Sequence, residues 1–394
     1  MNSRNPLLRA AAHPAVFLGY GSVPYVNTCR ALEGVDLSSV RGKRVLLKPN
    51  VGRIAPPATG VNTHPDVIAA AIDVFREAGA EVAVGESPIV GVEVEEAFNR
   101  SGVTAIAAAR DCPLINMDRR RFVNLRIPDG QVIHQLRVCP EVLEFDFVIS
   151  IPVMKTHMHT GVTLAVKNMK GCLWRRSKVE LHMLPPLTDS DGKPIDVAIA
   201  DMSSVLRPHL AIIDGTVGME GLGPSAGQPK PLGVVVASAD AFAADAVACR
   251  LMGMAADQIP HLRLGAARGY GVIDLNRIAV TPDGWLDMAS PFAPPPANLS
   301  IQFPNITVWD NRSCSACQST LLLFLNQHRE RLFDYFGAEY PINVAIGKGH
   351  TDLPEGTLCL GNCTRAHKDT GVFVPGCPPV GSQILAALSK KPKK

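Results

Sequence analysis

The sequence predicts an α/β protein: a doubly wound, mostly parallel sheet with a small C-terminal α/β module rich in cysteine. Three observations predict it. Leaving aside the first forty of the 394 residues, which periodicity leaves unassigned, apolar runs of strand length alternate with helical periodicity up to about residue 300. Those runs are continuous rather than alternating, as in strands covered on both faces. Beyond them, five of the ten cysteines crowd into the last 94 residues.

The elements follow in order. Arg44-Val45-Leu46-Leu47-Lys48 is a strand, and a Pro/Gly-rich loop leads from it to a helix beginning at Pro65. That helix has Val67, Ile68, Ala71, Ile72 and Phe75 on one apolar face and stops at Gly79. Val82-Ala83-Val84 is the next strand, followed by a helix around Val94 to Arg100 closed by Gly102. Phe147 to Ile151, Ala211 to Ile213 and Gly233 to Ala237 read as strands, and the helix after Asp240 buries Cys249. Pro291-Phe292-Ala293-Pro294-Pro295-Pro296 fits neither a helix nor a central strand, so it reads as a linker. The expected domains are therefore a body, 1–298, and a module, 299–394. In the module, Ile306 to Trp309 and Asn343 to Gly347 read as strands and Ser319 to Phe333 as a helix.

Composition narrows the function. Hydrophobic residues make up 46% and charged residues 19%, with 39 basic against 36 acidic side chains, which fits a compact protein rather than a disordered one. The dense basic run is confined to Ser389 to Lys394, which reads as a solvated tail, so no nucleic-acid partner is expected. No apolar stretch approaches the roughly 20 residues of a membrane span, and Met1 to Val16 lacks a secretory core. The expected compartment is the cytoplasm, where disulfides do not persist and clustered thiols mean metal or redox chemistry. Nothing sets the oligomeric state, and a homodimer stays open.

Cys314 and Cys317 form a CxxC pair that brings two thiolates together across one turn. Cys359, Cys363 and Cys377 supply a distant second group. A cubane 4Fe-4S cluster needs four thiolates, so one of the five is spare. Cys377 lies in a stiff Pro-Gly-Cys-Pro-Pro loop and Cys363 opens a polar loop, whereas Cys359 sits between Leu358 and Leu360 in an apparent strand end. The expected ligands are Cys314, Cys317, Cys363 and Cys377. Structural zinc and buried free thiols are the alternatives, but zinc ribbons usually carry two close CxxC pairs. The pattern resembles the cluster loops of the small subunits of hydrogenases and of respiratory complex I.

In an open α/β sheet, ligands bind beyond the carboxyl ends of the strands. Those ends read Lys48-Pro49-Asn50, Gly85-Glu86-Ser87-Pro88, Lys155-Thr156-His157-Met158-His159 and Asp214-Gly215, the last leading to Glu220. Lys167-Asn168-Met169-Lys170-Gly171 adds two cations and an amide. Convergence of Lys48, Lys155, Lys167 and Lys170, with Asn50 and Asn168, would make an anion pocket for carboxylate or phosphate. Lys155, His157, Glu86, Asp214 and Glu220 are then the candidate catalytic groups, His157 and His159 as acid/base groups or metal ligands. No GxxxxGK[ST] loop and no GxGxxG after a strand are present, so neither ATP nor a dinucleotide is expected. Gly218 to Gly227 reads as a mobile or ligand-covering loop.

These strand-end segments, together with Thr63-His64-Pro65, Ala78-Gly79-Ala80, Glu220-Gly221 and Gly223-Pro224, resemble the domain-of-unknown-function 362 family over roughly residues 15 to 260. The resemblance implies association with iron-sulfur centres. The chain departs from members with ferredoxin-type repeats, because it has no CxxCxxCxxxCP run, which favours a single cluster close to the pocket. The expected function is an iron-sulfur oxidoreductase or electron-transfer component of anaerobic metabolism, acting on a small anion or on a partner redox protein. A non-redox binding or cofactor-maturation protein with a structural cluster or zinc is the alternative.

Overall fold

The computed structural model describes residues 5–8, 13–185, 187, 193–294, 303–337 and 341–389. The chain divides into two compact units, Met1–Pro295 and Pro296–Lys394. The division falls inside the proline-rich stretch; the expected boundary at 298/299 and the basic tail from Lys390 lie outside the described residues.

Among the described residues of the first unit are twelve strands: β1 (Ala15–Tyr20), β2 (Arg44–Pro49), β3 (Glu81–Glu86), β4 (Leu114–Asn116), β5 (Val123–Arg126), β6 (Gln135–Val138), β7 (Phe147–Ile151), β8 (Val153–His157), β9 (Gly161–Thr163), β10 (Leu210–Glu220), β11 (Gln228–Ser238) and β12 (Ala279–Thr281). Ten of them form one sheet, in the order β12-β1-β11-β10-β7-β2-β3-β4, with β8 added to β10 and β9 to β8. The β10-β7-β2-β3-β4 half is parallel throughout. Successive residues of its strands go to opposite faces. Leu46, Val148 and Ile213 join a core that includes Val247 and Leu251 of the helix Ala241–Leu251. Val45, Leu47, Val84, Ile149 and Ile212 join a second core with Ile68, Ile72 and Phe75 of the helix Pro65–Glu77. Two covered faces are the reason the strands read as unbroken apolar runs.

The sheet is mixed where the sequence reads uniformly. β11 runs antiparallel to both its neighbours, β10 and β1. No helix separates β10 from β11, so the chain returns by a hairpin instead of a parallel crossover. Gly218 to Glu220, taken from the sequence as loop, continue β10, and the connection shortens to 221–227. β1 lies in the stretch that periodicity leaves unassigned. Pro152 separates β7 from β8, and β8 pairs with β10 beyond the end of β7, which carries Lys155 and His157 past the carboxyl end of the central sheet.

The second unit has a four-stranded parallel sheet in sequence order: β13 (Ile306–Asp310), β14 (Ile342–Ile346), β15 (Leu358–Leu360) and β16 (Val372–Val374). The helix expected at Ser319 to Phe333 is two, Ser315–His328 and Glu330–Phe336.

Candidate functional site

The body gathers most of the strand-end residues into one buried polar knot. Lys48, 1% exposed, is ion-paired to Glu86 at 2.7 Å and also donates to the Pro49 carbonyl at 2.8 Å. Glu86 accepts in addition from the amides of Val51 and Ser87, both at 2.8 Å, so its carboxylate is fully engaged. Asn168 joins the pair: its Oδ1 accepts from Lys48 at 3.3 Å, and its Nδ2 donates to the Lys48 carbonyl and to Ser150 Oγ. Lys155, 3% exposed, donates to Asn50 Oδ1 at 2.8 Å, to the Val61 carbonyl and to the Pro224 carbonyl at 3.4 Å. Asp214 accepts from the His64 amide at 2.7 Å and from Thr216 Oγ1 at 2.6 Å. Lys48, Glu86, Asn50, Lys155 and Asn168 thus tie together the carboxyl ends of β2, β3 and β8. Asp214, midway along β10, holds the start of the helix Pro65–Glu77 through the His64 amide.

The segment bearing Lys167 and Lys170 is anchored from below. Asp245, fully buried in the helix Ala241–Leu251, accepts the amides of Ala165 and Val166 at 2.7 and 3.0 Å, which fixes the first turn of the helix Ala165–Asn168. Gly171 permits the close approach that follows: a Cβ there would lie 2.4 Å from Lys48 Nζ. Lys167 donates to Thr163 Oγ1 at 3.1 Å, and Lys170 meets His182 Nε2. His157 Nδ1 accepts from the amides of His159 and Thr160 at 3.1 and 3.4 Å, which leaves the proton of the neutral ring on Nε2. The rings of His157 and His159 are 5.7 Å apart, and those of His159 and His182 6.3 Å.

This knot is rich in cations. Burial, with Arg53 next, lowers Lys155 to about 7, and burial with Lys178 lowers Lys170 to about 7. Burial and then the charges of Lys170 and Lys155 push Lys167 well down. Burial and Lys167 do the same to His157, and burial and Lys170 to His182. The carboxylates among them are already engaged: Glu86 is closed on Lys48, Asp118 faces Lys178 at 3.7 Å, Asp196 faces His261 at 3.6 Å, Asp214 accepts from the His64 amide and Asp245 from the amides of Ala165 and Val166.

One candidate lies apart. Glu220 accepts from the Ala293 amide at 2.9 Å and lies 3.8 Å from Lys230, so its carboxylate is directed to those partners and not to Lys155, Lys167 or Lys170. Three residues that periodicity passes over belong to the knot. Lys178 contacts Ser87 Oγ and Asp118, His182 contacts Lys170, and Arg53 donates to Ser225 Oγ at 3.1 Å.

In the second unit, the cysteines sit at the carboxyl end of the parallel sheet. Cys314 follows β13 and is the N-cap of the helix Ser315–His328, with Cys317 in its first turn; Cys363 follows β15 and Cys377 follows β16. A hydrogen bond from Cys317 and the amides of Cys317 and Ala316 lower Cys314 to about 6, the behaviour of a thiolate at a helix N-terminus. The same bond, then burial and the charges of Cys314, Cys363 and Cys377, raise Cys317. Burial and the charges of Cys377 and Cys314 raise Cys363. The four sulfurs are therefore within electrostatic reach of one another, and Cys314, Cys317, Cys363 and Cys377 are the residues that could hold an iron-sulfur centre. Cys359 is different: it is fully buried within β15, packs with Ala345 and Leu353, and donates to the His367 carbonyl at 3.5 Å. Among the described residues, no three His, Cys, Asp or Glu side chains close on a single metal ion, and no helix is long and apolar enough to cross a membrane.

Comparison with known proteins gives a relative in Synechocystis sp., a thylakoid-associated protein 32% identical over 221 residues, covering 56% of this chain and 66% of that protein. This chain therefore spans just under two thirds of the relative's length. Among solved structures, the lactate racemase apoprotein of Thermoanaerobacterium thermosaccharolyticum is 12% identical with a TM-score of 0.42, covering 61% of this chain and 57% of that one. A Thermotoga maritima protein from a structural genomics consortium is 16% identical with a TM-score of 0.36, over 59% and 60% of the two chains. Residues 45–250, more than half of the chain and all of the polar knot up to Asp245, match the family described as "Domain of unknown function (DUF362)", and the chain belongs to that family.

Proposed function

We propose that this protein is an iron-sulfur redox protein whose body binds a small anion and whose second unit carries one 4Fe-4S cluster on Cys314, Cys317, Cys363 and Cys377. The observation that carries the reading is the gathering of Lys155, Lys167 and Lys170 within electrostatic reach of one another, with burial disfavouring the charged form of each. Such a cluster of amines is costly to bury charged unless an anion joins it. The carboxylate or phosphate of a small substrate supplies that charge, with Lys155, Lys167 and Lys170 as the binding groups and His157 as the proton donor. Glu86, Asp214, Lys48, Asn50 and Asn168 hold the lysines in place. The cluster, when bound, supplies one-electron chemistry. All ten cysteines are free thiols, which suits the reducing cytoplasm proposed as its compartment.

The test is anaerobic purification with iron, sulfide and zinc analysis, then electron paramagnetic resonance of the reduced protein and a redox titration with and without sulfate. Four irons and four sulfides per chain, with a midpoint potential that moves on adding sulfate, support the redox reading. A cluster that takes no electron assigns the chain to the non-redox class. Zinc without iron removes the cluster altogether.

A further inference from the structure

The ribbon of β5 and β6 stands outside the main sheet, and one of its edges is open. On the far side of β6, Leu173 bridges Val138, and the Trp174 amide donates to the Arg137 carbonyl at 2.9 Å. β5 pairs with β6 and, among the described residues, with no other strand. The register fixes which backbone groups are left over. Ile127 donates to the His134 carbonyl at 2.8 Å, so Val123, Leu125 and Ile127 turn their N–H and C=O groups to β6. Asn124 and Arg126 turn theirs outward, and both residues are exposed.

Positive charge surrounds that edge. Phe122, Asn124 and Arg126 share the outer face of the ribbon with Gln135 and Arg137. The rings of Phe122 and Trp174 are 5.1 Å apart. The guanidiniums of Arg137 and Arg121 lie 5.4 and 5.7 Å from the Phe122 ring, and that of Arg175 lies 4.8 Å from the Trp174 ring. Stacking holds these charges in place. The nearby carboxylates are taken by other arginines: Glu144 closes on Arg120 at 2.6 Å, and Glu180 lies 3.3 Å from Arg137. Arg121 and Arg126 have no ion pair within 4 Å among the described residues. Between Val123 and Val138 the sequence has one acidic residue, Asp129, against Arg126 and Arg137.

We propose that the open edge of β5 is a docking site for an extended, acidic segment of a partner protein, which adds as a strand beside β5. Its backbone pairs with the N–H and C=O groups of Asn124 and Arg126, and its carboxylates meet the guanidiniums of Arg126 and, just before the strand, Arg121. The backbone bonds demand an extended chain. The arginines repel a basic strand, including the same edge of another copy of this chain. A four-residue edge offers few backbone bonds, so charge carries part of the affinity and salt weakens it.

The experiment uses the full chain and a fluorescein-labelled peptide of alternating Glu and Thr, read by anisotropy at low salt. Asn124→Pro removes an outward N–H and keeps the bonds to β6, because proline is tolerated where the donor faces away from the ladder. Arg126→Gln removes charge and keeps the backbone. Circular dichroism melting establishes that both variants are folded. The Glu-Thr peptide is expected to bind and a Lys-Thr peptide not to. Asn124→Pro is expected to weaken binding about tenfold, and Arg126→Gln about threefold. Hydrogen exchange of the wild-type chain needs no variant: the peptide is expected to slow the amides of Asn124 and Arg126. No binding, unchanged exchange at those two amides, or a folded Asn124→Pro that binds as the wild type overturns the proposal. Tighter binding of phosphatidylglycerol vesicles or of oligodeoxythymidylate, undiminished in Asn124→Pro, also overturns it and makes the arginines a general anion surface.

Discussion

If Lys155 and Lys170 grip an anion, its affinity falls as pH rises through neutrality. Both amines are lowered to about 7 by burial, Lys155 further by Arg53 and Lys48 against the opposing pull of Asp214 and Glu86, and Lys170 further by Lys178. A bound dianion favours the charged amines and returns their pKa towards the ordinary lysine range, so binding takes up protons. The contribution is complete below the free-protein value and lost above it. An amine with pKa about 7 is protonated in about nine molecules in ten at about pH 6 and in about one in eleven at about pH 8. Lys155 alone therefore weakens binding about tenfold over that interval, and both lysines together about 100-fold, or about 2.7 kcal/mol. His157 and His182, pushed well below 6.5, stay neutral across the window and leave the slope to the lysines. Isothermal titration with sulfate, whose own charge is constant over this range, reads the slope directly at fixed ionic strength. An affinity that is flat or rises with pH refutes the account.

Three further perturbations follow from single contacts. Glu86→Gln leaves the Lys48 ammonium buried without its counter-charge, and urea unfolding is expected to show a loss of about 3–5 kcal/mol; unchanged stability would mean that the pair is not formed. Gly223→Ala places a Cβ 1.9 Å from the Thr156 carbonyl oxygen, a backbone atom that cannot yield cheaply, so the 221–227 turn shifts and the Pro224 carbonyl moves from Lys155. Its sulfate affinity at about pH 6 is expected to fall by about tenfold, and wild-type affinity would show that the turn adapts. Cys363→Ser is expected to lose the iron and sulfide that Cys359→Ser retains, since Cys359 is buried in β15 against the His367 carbonyl; the reverse pattern in metal analysis would reverse the ligand assignment.

Local chemistry made much of this protein legible before any coordinates. Val45 to Leu47, Val82 to Val84 and Phe147 to Ile151 are apolar on both sides because helices cover both faces, and that pattern alone implies a parallel sheet. The helix from Pro65 carries its buried stripe and its Gly79 stop in plain sight. The spacing of Cys314 and Cys317 sets two thiols on one helical turn whatever surrounds them. Pairing was different, because which strands lie side by side depends on contacts between residues far apart in the chain. The antiparallel place of β11, and the extension of the hairpin to Glu220, are decided by its neighbours β1 and β10, not by its own residues. Tertiary structure alone joins Lys178 to Ser87 across 91 positions, directs Glu220 to Ala293 and leaves Lys167 without an ion pair within 4 Å among the described residues. Whether a lysine is solvated, paired or kept neutral is a property of the charges around it, and those are assembled only when the chain has folded.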